Sequence, residues 1–291
     1  MPEPARHPLS HNAYGKHRVR VSKIKRPRPR GLDTEHTDRH EFIEATVNVM
    51  LEGDLAASYT VGDNANVVAT DTCRNTVYAI AKDDPFETIE SFGVTLAEHF
   101  LKQYEHITQA TIELAEHRWH RIDGHAHCFT GSDGETPTAR VVAPRGHATT
   151  VVAGLDNLMI AKTTQTGFEN FHRDEYRTLP DTDDRIFATV LTAEWAYATK
   201  DIDFAATRTA VRNALLAKFT DHYSKSVQET LYLMGNAALD ACPTAASITL
   251  TMPNKHHLKF NLEPLGREND NEVFHVTDEP YGYITGTVSR G

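Results

Sequence analysis

The order of the predicted elements is the feature that most constrains how this chain can fold. Each half of the 291-residue sequence shows two strand-like segments, two helix-like segments and two more strand-like segments. Elements in this order form antiparallel sheets with helices on one face. We therefore predict an α+β protein with two tandem domains, residues 1–145 and residues 146–291, each an antiparallel sheet that carries a helix pair.

Hydrophobic periodicity places these elements along the chain. The first half is predicted to begin with strands Arg18–Lys25 and Glu41–Leu51. A helix follows between Thr70-Asp71-Thr72, which would cap it, and Asp83-Asp84-Pro85, which would end it, and a second helix runs from Phe86 to Tyr104. Strands Ile107–Ile122 and His125–Val142 complete this half around a turn at Asp123-Gly124. Those of the second half are strands Gly146–Thr164 and Ile186–Thr199, helices Asp203–His222 and Ser226–Ala241, and strands Ser247–Met252 and His256–Leu262. The side chains of Thr70-Asp71-Thr72 are expected to cap the first helix.

Net charge argues against a protein that coats nucleic acid. The formal charge is −10, so an anionic substrate must be attracted by local cations rather than by the whole surface. A local exception is the basic run from Lys16 to Arg30, which holds eight Lys or Arg residues in fifteen positions. This run could bind nucleic acid or an acidic partner. It lacks interleaved aromatic residues, however, and we expect a solvated or subunit-facing strand surface instead.

Cysteine usage and the two termini indicate a cytoplasmic protein. The three cysteines, Cys73, Cys128 and Cys242, are odd in number and widely spaced, which suits reduced thiols. No apolar run is long enough to span a membrane, and Met1–Asn12 lacks the apolar centre of a signal peptide. The C-terminal Ser289-Arg290-Gly291 is not a peroxisomal signal of the Ser-Lys-Leu type.

The segment from Lys162 to Arg185 is the main candidate for function. It has neither strand alternation nor a helical stripe, and long irregular segments inside compact domains are often functional. It contains two aromatic residues, Phe168 and Phe171, and ends on an arginine just before a predicted strand. Composition alone would also allow a surface loop with a small apolar cluster of its own.

The motif within this segment resembles that of the uricase family. Its matching positions are Lys162-Thr163-Thr164, Phe168, Phe171, Tyr176, Leu179 and Asp184-Arg185, while Ala161 and Thr166 depart mildly from the family pattern. Four further segments match in the same order: Tyr14-Gly15-Lys16, Val68-Ala69-Thr70-Asp71 with Asn75-Thr76, Ser226-Val227-Gln228, and Pro253-Asn254-Lys255-His256. Each short match is weak alone, but five in the correct order span nearly the whole chain.

This resemblance implies a fold, an assembly and an activity. Uricases contain two tunnelling-fold (T-fold) domains per chain and form homotetramers in which the sheets join into a barrel around a central tunnel. Their active sites lie at subunit interfaces. They oxidise urate with molecular oxygen and water to 5-hydroxyisourate and hydrogen peroxide in purine catabolism. The resemblance implies neither a cofactor nor a metal.

The resemblance also assigns the residues that bind substrate. Phe168 would stack on the purine, a contact worth roughly 1–3 kcal/mol by analogy with base stacking. Arg185 would bind the anionic edge through two parallel hydrogen bonds. The side-chain amide of Gln228 would form hydrogen bonds with the opposite edge. The backbone N–H of Val227 would donate to a purine oxygen. Thr70 and Asp71 would offer N–H groups from a neighbouring subunit.

A proton relay of Lys16, Thr70 and His256 follows from the same resemblance. Lys16 would be neutral and act as the base, Thr70 would pass the proton, and His256 would exchange it with Lys16 and later activate water. Asn254 would hold oxygen, then water, above the ring. Each residue also has an ordinary explanation when taken alone, such as a solvated lysine, a helix cap or a turn residue.

Two alternatives to this assignment stay open in the sequence. His117, His120, His125, His127 and Cys128 cluster within twelve residues and could supply metal ligands, although only His125 and His127 stand at a spacing that shares one strand face. Other enzymes of the tunnelling fold bind pterins or purines without oxidising urate. The set of Phe168, Arg185, Gln228 and Asn254 separates this chain from those enzymes.

Overall fold

The computed structural model of the chain describes residues 7–28, 37–132 and 134–291. These described residues fall into two compact units, one within residues 1–153 and 199–204 and the other within residues 154–198 and 205–291. The sequence-based boundary between residues 145 and 146 stays a prediction, because this division follows contacts in the folded chain and not independent folding of the parts. Arg30 and the first half of the expected loop from Asp33 to His40 lie outside the described residues.

The first unit is an antiparallel sheet with two helices packed on it. Its elements are β1 (Tyr14–Lys25), β2 (Glu41–Gly53), α1 (Ala56–Thr60), α2 (Thr70–Asp83), α3 (Ile89–Gln103), β3 (Ile107–Glu116), β4 (Trp119–Arg121), β5 (Phe129–Gly131) and β6 (Thr136–Pro144). The order in the sheet is β1-β2-β3-β6. Helix α3 packs on β3 and β6, and α2 packs on β1. The short helix α1 was not predicted.

Strand β2 and helix α3 both contribute buried side chains to the core of this unit. Val47, Val49 and Leu51 are fully buried on one face of β2, as a period of two requires. Phe92 and Leu96, four residues apart on α3, are fully buried as well. Burial of such side chains contributes roughly 1.5–3 kcal/mol each. The capping box of Thr88 and Ser91 begins α3 at Ile89, three residues later than predicted.

The second unit repeats this arrangement. Its elements are β7 (Thr150–Lys162), which carries the chain in from the first unit, β8 (Phe187–Tyr197), α4 (Phe204–Thr220), α5 (Val227–Ala241), β9 (Ala245–Thr251), β10 (Asn254–Lys259), β11 (Phe274–Gly282) and β12 (Thr285–Ser289). Strand β8 pairs with β7 and, on its other edge, with β9 and β10 in succession. Next to these lie β12 and β11, respectively. The predicted α+β order is confirmed in both halves.

The end of the second unit differs from the prediction. The two segments predicted as its third and fourth strands correspond to β9 and β10. Both pair with the same edge of β8, so together they occupy the third position of the sheet. Pro253 lies between them and has no N–H to donate to a ladder, so the strand is interrupted there. The fourth position is filled by β11 and β12, which were not predicted.

The hairpin predicted from Ile107 to Val142 is divided into two sheets. Strands β3 and β6 pair in the main sheet, whereas β4 and β5 form a separate two-stranded sheet. The distal part leaves the main sheet because its aromatic side chains pack on Phe42, at the start of β2. Trp119 stacks on Phe42 at 4.8 Å between ring centroids, and its indole N–H donates to Glu44. The predicted turn is confirmed, with φ of 44° at Asp123 and 72° at Gly124.

Among the described residues, no helix combines the length and apolar character needed to cross a membrane.

Candidate active site

A cavity of about 420 Å³ opens in the second unit. Its walls come from the irregular segment before β8, the first turn of α5, and strands β10 and β11. Six residues singled out in the sequence line it: Phe168, Arg185, Val227, Gln228, Asn254 and His256. The fold thus brings together residues that are up to 88 positions apart in the chain.

The segment from Lys162 to Arg185 is irregular but closely held. Phe168 and Thr182 exchange two backbone hydrogen bonds, of 2.7 and 3.1 Å. The N–H of Gly167 donates to the carbonyl of Ser224 at 2.8 Å. A Cβ atom on Gly167 would lie 2.3 Å from the Tyr223 hydroxyl and 2.9 Å from the Thr182 carbonyl, so a larger residue would displace these neighbours. The backbone therefore presents Phe168 in one defined position.

The ring of Phe168 stacks on that of Phe171, which in turn is covered by Arg177. Its ring lies parallel to that of Phe171, with centroids 4.5 Å apart and planes 11° apart. The guanidinium of Arg177 covers Phe171 at 3.8 Å and donates to Asp181 at 2.8 Å. The apolar cluster that a surface loop would contain is present, and it supports the ring of Phe168, which lines the cavity. Nothing in the sequence singled out Arg177, whose place depends on how the loop folds.

Arg185 presents an open guanidinium fork at the cavity. Its Nε donates to the carbonyl of Gly167 at 3.2 Å, while both Nη atoms are without a protein acceptor in the described part of the chain. The rings of Phe168 and Phe187 lie 5.6 and 5.9 Å from its Cζ. Burial lowers the pKa of Arg185 from its ordinary value. A partly desolvated cation with an unused fork is a strong site for a planar anion.

The first turn of α5 supplies further donors. Ser226 is the N-cap, and its hydroxyl accepts from the N–H of Glu229 at 3.1 Å. Within residues 7–28, 37–132 and 134–291, the N–H groups of Val227 and Gln228 have no acceptor. Such groups favour an anion or a carbonyl oxygen at a helix start. The side chain of Gln228 is exposed at the cavity rim.

Strand β10 contributes an amide and an imidazole. Asn254 is 8% exposed, yet its Oδ1 has no hydrogen-bond partner among the described groups. It pairs in register with Thr189, whose buried hydroxyl is likewise unsatisfied in the described part of the structure. Buried polar atoms are nearly always satisfied in proteins, so the Oδ1 of Asn254 is available to a ligand of the cavity. His256 is half-buried on the same cavity.

Lys16, Thr70 and Asp71 belong to the first unit, in which β1 approaches the start of α2. The Tyr14 hydroxyl accepts from the N–H of Val68 at 2.7 Å, which ties the start of β1 to the approach to α2. Burial raises the pKa of Tyr14 to about 12. Lys16 lies two residues further along β1. Burial raises the pKa of Cys73, in the first turns of α2, to about 11, and the cation of Lys16 opposes this rise. Lys16 therefore lies near the beginning of this helix.

A β-bulge follows Lys16 directly. Lys16 is opposite Val49, but Val19 is opposite Val47, so β1 has one extra residue here. Arg18 takes a positive φ of 59° at this point. Bulges are common next to active sites because they turn a side chain to a new direction. Gly15 is required by close approach, since a Cβ atom would lie 1.8 Å from the carbonyl of Val49.

The predicted cap of α2 is wrong. The N-cap is Ala69, and no side chain of the described residues caps this helix. Thr70 is the first helical residue, and in the described part of the chain neither its hydroxyl nor its N–H has a partner. The N–H of Asp71 is also without an acceptor there. The reason is positional, because a helical first residue cannot turn its side chain back to the N–H groups two and three residues later. Both residues are exposed and available to a ligand.

The basic run from Lys16 to Arg30 uses many of its charges internally. Arg20 pairs with the buried Glu44, and Lys25 lies 3.7 Å from Glu41. Lys23 donates to the last carbonyls of α2, including that of Ala81 at 2.8 Å. Charges engaged in this way stabilise β1 against β2 and α2. They do not favour a nucleic-acid surface.

Comparisons with known proteins agree on one family. The sequence model described as Uricase matches residues 12–150 and again residues 151–285. The uricase of Arthrobacter globiformis is 41% identical over 282 residues, 97% of this chain and 90% of the relative. The uricase of Dictyostelium discoideum is 38% identical over 289 residues, 97% of each. The crystal structure of uricase from Arthrobacter globiformis has a TM-score of 0.92 at 40% identity, covering 98% of this chain and 96% of that chain.

Proposed function

The chain belongs to the uricase family, which makes it an enzyme that oxidises urate, and we propose that it does so at the cavity between the 168–186 segment, α5 and β10. One observation carries this assignment. Three groups line the same 420 Å³ cavity. They are the Nη atoms of Arg185, the ring of Phe168 and the Oδ1 of Asn254, which has no partner among the described residues. A flat anion with polar edges satisfies all three groups together.

Urate would lie in this cavity with its ring against Phe168. Arg185 would bind the anionic edge through both Nη atoms, an arrangement that lysine cannot reproduce. The amide of Gln228 would both donate to and accept from the opposite edge. The free N–H of Val227 would donate to a purine oxygen, since the helix start is partly positive.

The chemistry requires removal of a second proton from the urate monoanion. The resulting dianion gives two electrons to oxygen, which takes up two protons and leaves as hydrogen peroxide. Water then adds to the oxidised ring and gives 5-hydroxyisourate. We assign the proton transfers to Lys16, Thr70 and His256, and the holding of oxygen and then water to Asn254. The free hydroxyl of Thr70 and the bulge beside Lys16 support these roles.

The complete site is proposed to form between two copies of the chain. Thr70 and Asp71 belong to the first unit, whereas the cavity belongs to the second. A neighbouring subunit of a homotetramer would bring the start of its α2 to this cavity, with the sheets joined into a barrel. No cofactor or metal takes part in this scheme, and a cytoplasmic location stays a prediction from the sequence.

Incubation with urate in air and an excess of chelator tests the assignment. We expect loss of the near-ultraviolet absorbance of urate with one hydrogen peroxide formed per urate consumed. An Arg185→Gln variant should lose most of this activity, because it removes the cation and keeps a polar side chain. Activity that disappears on chelation, or turnover without peroxide, would contradict the scheme.

A further inference from the structure

The hairpin of β4 and β5 carries a cluster of potential metal ligands that urate oxidation does not use. One ring nitrogen of His125, one of His127 and the thiol of Cys128 all lie within 4.8 Å of one another. All three side chains are exposed. Two of the five residues noted in the sequence do not belong to this cluster. His117 shares a hydrogen bond of 2.8 Å with Thr46, and His120 lies on β4 outside the group.

The backbone that presents these ligands is held in place. Arg121 donates to the carbonyls of His125 at 2.7 Å, of Ala126 at 2.6 Å and of His40. The N–H of His40 donates to the carbonyl of Ala126 at 2.9 Å. The turn is therefore fastened to the segment that precedes β2. A fixed backbone lowers the entropy that metal binding must overcome.

The side chains themselves need only small movements. Zn²⁺ binds nitrogen at about 2.0–2.1 Å and sulfur at about 2.3 Å, so tetrahedral ligand atoms lie roughly 3.3–3.8 Å apart. The present separations shrink to this range through rotation of exposed side chains. The one local bond to be given up is long, 3.3 Å from the N–H of His127 to Nδ1 of His125.

We propose that His125, His127 and Cys128 bind a borderline-to-soft divalent cation such as Zn²⁺. Two imidazoles and a thiolate are a donor set that selects zinc over magnesium or calcium, which prefer oxygen. With three protein ligands, water completes the tetrahedron. All three ligands lie between the Asp123-Gly124 turn and β5, so the ion fixes the segment that leads into β5. This site is separate from the cavity and does not depend on how urate is oxidised.

Titration of Zn²⁺ into chelator-stripped protein, in competition with a chromophoric zinc indicator, tests the proposal. We expect one Zn²⁺ per chain. His127→Ala and Cys128→Ser should each weaken binding by at least about tenfold, because each removes one of three protein ligands. The matched control is His120→Ala on the same hairpin, which should bind Zn²⁺ like the unmodified protein. All three variants should keep their urate oxidation, which shows that they fold.

Co²⁺ in place of Zn²⁺ gives a direct readout of the thiolate. The unmodified protein should show a thiolate-to-Co²⁺ charge-transfer band in the near ultraviolet, and Cys128→Ser should lack it. The proposal is overturned if a His125→Ala, His127→Ala, Cys128→Ala triple variant binds Zn²⁺ as tightly as the unmodified chain. It is also overturned if no stoichiometric binding is found.

Discussion

At the scale of single residues, Arg185 links the fold of the loop to the chemistry of the site. Its Nε is engaged by the Gly167 carbonyl, which leaves the two Nη atoms as a fixed fork. The partial burial that lowers its pKa also strengthens any interaction with a bound anion, because the local dielectric is lower than in water. Charge and geometry therefore act together at one side chain.

Arg185→Lys should impair catalysis while the charge is kept. The lysine ammonium cannot make two parallel hydrogen bonds, and a bond to a charged group is worth about 1.5–3 kcal/mol. We expect kcat/KM for urate to fall roughly 10- to 150-fold in steady-state kinetics. Arg173→Lys is the matched control, because Arg173 lies on the same segment and is paired with Asp181 at 3.2 Å. An unchanged kcat/KM in Arg185→Lys would remove Arg185 from substrate binding.

Cys73 gives the first unit a defined response to alkaline pH. Its thiol is fully buried, and burial raises its pKa from near 9 to about 11. Because the folded pKa is the higher one, the stabilisation is complete below the unfolded pKa and is lost as pH rises towards 11. The free energy of unfolding should therefore fall between pH 9 and pH 11, with up to about 1.4 kcal/mol per pH unit from this group.

Urea unfolding at several pH values between 8 and 11 measures this effect. Cys73→Ala should show a shallower decline than the unmodified chain, because the titrating group is gone. Cys128→Ala should keep the original slope, since Cys128 is exposed. Equal slopes in all three proteins would show that Cys73 does not control alkaline stability.

At the scale of elements, the end of α2 depends on a lysine from the neighbouring strand. Lys23 of β1 donates to the carbonyls of Ala81, at 2.8 Å, and of Lys82, at 3.3 Å, and also to that of Asp84. The last carbonyls of a helix have no partner within it, and a cation there also interacts favourably with the helix dipole. This contact fixes α2, and with it Thr70, against the strand that carries Lys16.

Lys23→Met should therefore destabilise the protein by about 1–2 kcal/mol, because it removes the donor and keeps the length of the side chain. The apparent free energy of urea unfolding, at matched protein concentration, is the measurement. Lys25→Met is the control. The ammonium of Lys25 lies 3.7 Å from an exposed Glu41 carboxylate, and such a pair is worth at most about 1 kcal/mol and often much less. Similar losses in both variants would argue against capping by Lys23.

At the scale of the whole molecule, the proposed site divides its residues between two chains. Thr70→Ala damages the contribution of the first unit, and Arg185→Gln damages that of the second. If one site takes each contribution from a different subunit, a hybrid assembly contains some sites in which both are intact. Random mixing of equal amounts restores about one quarter of the sites in a closed oligomer of this kind.

Coexpression of the two inactive variants is the experiment. We expect urate oxidation to approach about one quarter of the activity of the unmodified protein, well above either parent. Each variant expressed alone, at the same total concentration, is the control. If every site were built from a single chain, the mixture would stay at the background of its parents.

Local sequence signals were sufficient where local forces decide the structure. The alternation of Val47, Val49 and Leu51 predicted β2, and the helix predicted from Ser226 begins at Val227 with Ser226 as its N-cap. Such signals were insufficient where distant groups compete. In the described part of the chain α2 has no side-chain cap, although Thr70-Asp71-Thr72 offers three residues that can cap a helix. Trp119 leaves the main sheet and stacks on Phe42. The broken strand at Pro253 could have been anticipated from its missing N–H, but its partner β12 could not.

The sequence by itself determined the α+β order, its repetition, the family resemblance and the list of candidate site residues. These properties follow from side-chain types and their spacing, which are local. Only the tertiary structure decided that six of these residues share one cavity: Phe168, Arg185, Val227, Gln228, Asn254 and His256. It also decided that the Nη atoms of Arg185 and Oδ1 of Asn254 have no hydrogen-bond partner among the described residues. Whether a polar group is engaged depends on what the folded chain places within about 3 Å of it, and spacing along the sequence does not contain that information.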